Sequence, residues 1–214
     1  MSYLRDNKIW DEEESTNWDV IEISKVNDKI IRILINNLKL DKAELSDDFF
    51  ISFESLLKIG NKAESVLDSY IRQTNEIHNF KVDIFNFLLD FIRNNSVKHV
   101  LVPQLYHTDF ITRARTIFKL EEAGDKSYLK FLIPLLNDPD DSVRWAVIRF
   151  FNSKKLLKNP LIYKELKNLI EKESNLIIKE KLKEIFKKTG VILLTGSEET
   201  EESKLIPNKL KMGG

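Results

Sequence analysis

Five apolar residues, Phe49, Phe80, Ile111, Val143 and Ile178, stand along the sequence at gaps of 31, 31, 32 and 35 residues, and each opens a stretch of amphipathic helical pattern. A repeat of roughly 20 to 50 residues marks units too small to bury their own apolar face, so that each must stack on its neighbours, as in helical solenoids. The pattern inside a unit is clearest where Val143, Ala146, Val147, Phe150 and Phe151 recur at i, i+3, i+4, i+7 and i+8 and form one stripe. Phe53, Ile84 and Leu182 stand four residues after their own opening positions. Leu56 and Leu57, Phe87 and Leu88, and Ile185 and Phe186 stand at seven and eight. The third unit breaks the rule: counted from Ile111, Arg115 and Lys119 fall in core columns, and Ala114, Ile117 and Phe118 must carry the packing. A buried unpaired arginine is costly, so Arg115 is expected to turn outward or to meet an acidic neighbour such as Asp83.

The chain therefore reads as five helix pairs. The first helices are predicted near residues 28–40, 61–74, 96–106, 126–137 and 159–172, and the second helices near 47–59, 78–94, 109–123, 141–152 and 175–188. Pro103 and Pro134 lie 31 residues apart inside first-helix segments. An interior proline removes a backbone hydrogen bond and kinks a helix, so the pair predicts a shared bend. Gly60, Gly124 and Gly190 each follow a second helix, where a left-handed residue ends the run. Ser46 and Asp47, Thr108 and Asp109, Asp140 and Asp141, and Ser174 and Asn175 precede second helices, where they can accept first-turn N–H groups.

Composition removes several classes of function. No cysteine is present, so a disulfide framework, a thiolate nucleophile and Cys-ligated zinc are excluded. Thirty-four basic residues balance thirty-four acidic ones, and no overall excess of charge draws the chain to nucleic acid or a membrane surface. No signal-like apolar run opens the sequence, and no stretch of about 18 uncharged apolar residues could span a bilayer; a cytoplasmic protein is expected. Residues 1–17, with an acidic run from Asp11 to Glu14 between Trp10 and Trp18, are expected to be loosely ordered. Residues 18–190 form the repeat domain, and 191–214 a tail of different composition.

The segment LLNDPDDSVRWAVIRFF (135–151) resembles the core of a HEAT repeat: an apolar first-helix end with a nearby proline, a turn Asn137-Asp138-Pro139-Asp140, then Asp141, Val143 and Arg144 opening the second helix. The segment LLKIGNKAESVLDSYI (56–71) is similar to the junction between units in the HEAT-like subclass also found in phycobilisome lyases. The resemblance covers roughly residues 28–190, with Lys81 and Lys179 echoing Arg144 and Asp109 echoing Asp141. It implies an all-α fold, a right-handed, armadillo-like solenoid of about five hairpins whose second helices line a concave face. HEAT proteins mostly act as scaffolds, adaptors, transport receptors or regulatory subunits, and a fold alone does not choose among these.

Residues with catalytic potential are few. His78, His99 and His107 are separated by 21 and 8 residues, which puts no two on one helical face, and no HExxH, phosphate loop or GxSxG elbow occurs. The carboxylate pairs Asp47 with Asp48 and Asp140 with Asp141 stand where capping is the natural role. The expectation is a non-enzymatic chain with no cofactor and no metal.

Trp145 is the residue that points to binding. It lies about 200° from Val143 on a helical wheel, with Ile148, Arg149 and Asn152 on the same side. An exposed tryptophan beside arginine is hot-spot composition; the plain alternative is that a neighbouring helix or the tail covers it. Ile51, Val82, Arg113 and Glu180 fall at the equivalent place in other units and extend a mixed strip, suited to an extended segment or helix of another protein. A monomer is expected.

The competing reading is nucleic-acid binding. Residues 142–190 hold thirteen Lys or Arg against five Asp or Glu, whereas residues 1–48 hold seven against twelve. A basic helical array can hold nucleic acid, and HEAT-repeat DNA glycosylases share the architecture, but the aspartate-containing aromatic cleft they use has no counterpart around Trp145. Interleaved Lys and Glu from Lys164 to Lys187 also fit a solvated ion-pair surface. An accessory role to an enzyme rests only on the lyase-type resemblance. In the tail, Val191 to Gly196 can fold back as an apolar cap, followed by an acidic run and a short basic-apolar end that is a weak latch or has no role.

Overall fold

A computed structural model describes residues 25–38, 45–73, 80–94 and 99–189, and every regular element among them is helical. The predictions made for residues 1–17, His78, Gly190 and 191–214 fall outside the described residues, as do the side chains of Phe80, Lys81 and Val82. The α-helices are α1 (Asp28–Asn37), α2 (Asp47–Ile59), α3 (Glu64–Gln73), α4 (Phe80–Asn94), α5 (Val102–Leu105), α6 (Phe110–Ala123), α7 (Leu129–Leu132), α8 (Asp141–Ser153), α9 (Pro160–Lys172) and α10 (Leu176–Thr189). Three 3-10 turns, Gly60–Ala63, Lys126–Tyr128 and Ile133–Asn137, complete the first-helix segments.

The helices start where side chains can hold their first N–H groups. Asn27, Asp109, Asp140, Asn159 and Asn175 each accept from the first turn of the helix they precede. Ser46 stands at the cap of α2, yet its hydroxyl makes no capping bond. Gly124 ends α6 in the left-handed conformation, with φ 69°. Gly60 also has positive φ, 60°, and turns α2 into the 3-10 step rather than closing it.

Neither proline bends a continuous helix. Pro103 lies in the first turn of the four-residue α5, and Pro134 opens the 3-10 turn that follows α7. A missing N–H is tolerated at a helix start, so these prolines divide the first-helix segments into short pieces. Pro134 is buried and Pro103 half-buried, and their neighbours are core: Leu105, Tyr106, Phe131, Leu135 and Leu136 are fully buried, and the Tyr106 hydroxyl donates to the Phe131 carbonyl at 2.8 Å.

One continuous apolar core runs from Val26 to Phe186. The expected columns are buried at Phe49, Phe53, Ile84, Val143, Val147, Ile178 and Leu182, but not in the third unit. Ile111 is 44% exposed, whereas Arg113, Ala114, Thr116, Ile117 and Leu120 face inward. The inward face of the helix lies about two residues, roughly 200°, round from the stripe counted from Ile111. Thr112, not Ile111, matches Val143, and the spacing between these two units is 31 rather than 32. Arg115 points outward as expected, and Asp83 pairs instead with Lys130 at 2.8 Å.

The stacking is most extensive between α6 and α8, and α8 also packs on Ile133–Asn137 and α10. The N-terminal helices join this stack less regularly. α4 lies against α7 through Phe87 on Phe131, with ring centres 5.9 Å apart. α2 and the residues just before it reach the turns that precede α6 and α8: Glu54 accepts from the Thr108 hydroxyl at 3.0 Å, and the Leu45 N–H donates to the Asn137 carbonyl at 2.8 Å.

Candidate partner-binding surface

The second helices of the last three units are registered by a repeated ion-pair turn. Arg113, four residues after the cap Asp109, grips Asp138 of the next unit through Nε and Nη2, both at 2.8 Å, while Nη1 donates to the His107 and Thr108 carbonyls of its own turn. Arg144, four residues after Asp140, grips Glu173 at 2.8 and 2.6 Å and donates to the Asp138 and Pro139 carbonyls. Each carboxylate also accepts from the backbone N–H two residues on, Asp140 for Asp138 and Asn175 for Glu173. His107 stands at the corresponding place and accepts the Asp109 N–H on Nδ1. Two-pronged arginine contacts of this kind fix orientation as well as spacing, so they set the angle at which successive second helices are presented.

The two pairs differ in their surroundings. Arg113 and Asp138 are buried, with the guanidinium carbon 3.9 Å from the centre of the Phe50 ring. Burial raises the Asp138 carboxyl above its ordinary value, against the opposing pull of Arg113 and the Asp140 N–H. Burial acts the same way on Glu173, but there the Arg144 and Asn175 hydrogen bonds outweigh it and the carboxyl falls below its ordinary value.

Around α8 the predicted surface residues separate. Arg149 is half exposed, 3.5 Å from the Glu121 carboxylate, with its guanidinium 5.1 Å from the Phe118 ring centre. Asn152 is exposed, and Trp145 is half buried with its inner edge against the core. Ile148, expected beside them, is fully buried. α8 is packed by α6 on one flank and by Ile133–Asn137 and α10 on the other, so its apolar sector is wider than one stripe. Arg113, expected on the same strip, is the buried partner of Asp138 because the inward face of α6 lies nearly opposite the one counted from Ile111. On α6, Lys119, which broke the expected column, is exposed, and Phe118, expected to carry packing, is half buried against the core, next to the outward Arg115.

The motif residues have structural places. Val143 is core, Arg144 forms the ion-pair turn, and exposed Asp141 accepts from the Asn175 side chain. Along α10, Lys181 pairs with Glu184 and Lys183 with Glu180 on the open face. Among the described residues no group of three or more His, Asp or Glu could hold a metal ion, and no helix is long and apolar enough to cross a membrane.

Residues 99–181 match the protein family described as HEAT repeats. No curated protein and no solved structure gives a significant match to the chain.

Proposed function

With residues 99–181 as HEAT repeats, a module that generally mediates contact between proteins, we propose that this chain is a non-enzymatic adaptor holding a segment of another protein along the ridge of α6 and α8. The observation that carries this reading is Trp145, an indole half open to solvent beside Arg149 and Asn152. Arg115 and Lys119 extend the ridge with exposed positive charge, and Phe118 adds half-buried aromatic surface. A half-exposed tryptophan beside arginine gathers binding energy in few residues. The surface suits a segment with an apolar side chain for the indole and carboxylates for the flanking cations.

Affinity capture with the full chain tests the site. Partners held by the native protein are expected to be lost by Trp145→Ala with Arg149→Ala, and separately by Arg115→Glu with Lys119→Glu, whose exposed positions leave the core intact. Retention of the same partners by both variants, with melting temperatures unchanged, would refute the ridge as the site.

Nucleic-acid binding is the second reading, favoured by the basic surplus of residues 142–190. It ranks lower because Arg144, Arg149, Lys181 and Lys183 already have carboxylate partners. Retention on duplex DNA that collapses between about 50 and 200 mM salt would promote it.

A further inference from the structure

Successive units repeat their turns, so what covers one turn marks what its counterpart can take. The caps Asp109 and Asp140, the cations Arg113 and Arg144, and the carboxylates Asp138 and Glu173 hold equivalent places. By that match Tyr106, Thr108 and Asn137 around the first arginine correspond to Asn137, Pro139 and Lys172 around the second. At the first joint α2 is the cover. The Phe50 ring centre lies 3.9 Å from the Arg113 guanidinium carbon, and Phe53 packs on Tyr106 at 5.1 Å. Glu54 accepts from Thr108, and the Leu45 N–H donates to the Asn137 carbonyl.

At the second joint the same place is open among the described residues. It is a pocket of about 120 Å³, comparable with the cavities of about 150 Å³ that take a benzene ring. Asn137, Pro139, Arg144 and Lys172, the counterparts of all four residues that α2 and Leu45 touch, line it, and Leu136 and Leu169 form its apolar wall. The Arg144 guanidinium is fixed by Glu173 and by the Asp138 and Pro139 carbonyls. A guanidinium held flat in this way offers a face on which an aromatic ring stacks, as Phe50 does on Arg113. Lys172 adds an exposed cation. In the covered joint its counterpart Asn137 meets Leu45, just ahead of Asp47 and Asp48 in the first turn of α2.

We propose that this pocket docks a helix of another protein that begins as α2 does, with an aromatic side chain for Arg144 and first-turn carboxylates for Lys172. Pro139 has neither the N–H nor the hydroxyl by which Thr108 holds Glu54, so the ring and the first-turn charges set the preference. The site is separate from the α6 and α8 ridge and does not depend on it.

A synthetic peptide of residues 45–59, held helical by a staple between Ile51 and Lys58 on its outward face, is the probe. Added to the full chain, it is expected to bind saturably and to move the Arg144 Nε–H resonance upfield through the ring current. That proton is held on Glu173 and so is slow to exchange with water. The Arg113 Nε–H resonance, already under its own ring, should stay in place. A peptide carrying Phe50→Leu should bind at least fivefold more weakly. The unaltered peptide should lose a similar factor on the chain carrying Lys172→Glu, an exposed position whose change leaves the core intact. Equal binding of the Phe50→Leu peptide would overturn the proposal, as would indifference to Lys172→Glu or an Arg144 resonance unmoved by millimolar peptide. Movement of Arg113 alone would also overturn it, since the peptide would then be replacing α2. An Arg144 shift produced by concentrating the chain without peptide would give the pocket to a second copy and overturn it too.

Discussion

Arg113 and Arg144 occupy one structural place in successive units, and their chemistry differs because their burial does. Removing one member of a buried pair strands the other's charge, a loss of about 3–5 kcal/mol. Arg113→Ala is expected to fall in that range by urea unfolding, with Arg144→Ala less damaging because its guanidinium is partly solvated. Arg113→Lys should recover little, since an ammonium cannot hold both oxygens of Asp138 and two carbonyls in one plane. The carboxylates carry opposite signs in their pH dependence. Glu173, lowered in the fold, stabilises the protein above the unfolded glutamate value of about 4.3 and loses that contribution as pH falls through its folded value. Asp138, raised in the fold, contributes below the unfolded aspartate value of about 3.9 and loses that contribution as pH rises through its folded value. Carboxyl carbon NMR should therefore show Asp138 titrating above its ordinary value and Glu173 below; the reverse order would contradict the account of the two turns.

At the scale of elements, the left-handed residues give the cleanest contrast. Gly124 closes α6 at φ 69°, and a Cβ there would meet only the Lys154 ammonium at 3.9 Å. Gly124→Ala should thus cost about 1 kcal/mol through backbone conformation alone. Lys155 is the one described non-glycine residue with positive φ, 56°, and Lys155→Gly should stabilise by about 0.5 kcal/mol as strain relief exceeds added chain entropy. Equilibrium denaturation of both variants checks the pair of signs. Helix positions were legible in the sequence because apolar period and caps agree, as at Asp140 and the stripe from Val143 to Phe151. The turn of α6 was not legible, because Ile111 imitates a core residue while the buried Arg113 imitates a surface one. Only the recurrence of Asp109 with Arg113 and Asp140 with Arg144, both at 31 residues, identifies the true register. Periodicity placed Ile148 on the open face for a related reason: it reports one stripe, whereas α8 is packed on two flanks. Among the described residues Arg149 and Asn152 are exposed and Trp145 half buried, as far as one stripe alone can place them. The brevity of α5 and α7 escaped detection, since a proline at a first turn and one in an interior look alike until the flanking residues choose a helix start.

The whole molecule departs from a one-dimensional array in a way that has a measurable consequence. In an ideal solenoid each unit touches only the next, and openings spread from the ends. Here α2 crosses over the second unit: Phe50 lies under Arg113, Glu54 holds Thr108, and Leu45 donates to the Asn137 carbonyl. Opening the third unit thus withdraws the Phe50 ring contact and the Glu54 hydrogen bonds, and opening α2 exposes Arg113 together with its carboxylate. The two should open together despite the 50 or so residues between them, whereas α10, which packs on α8 and α9 at the end of the described stack, should open at lower free energy. Native-state amide exchange is expected to give α2 and α6 the same opening free energy within about 1 kcal/mol, with α10 less protected than either. Glu54→Gln with Thr108→Val, which cuts the tie without touching the core, should then lower protection in both helices at once. A drop confined to α2 would mean that the first two units are an ordinary end of the stack, and that the contacts across them are incidental to how the repeat region is held.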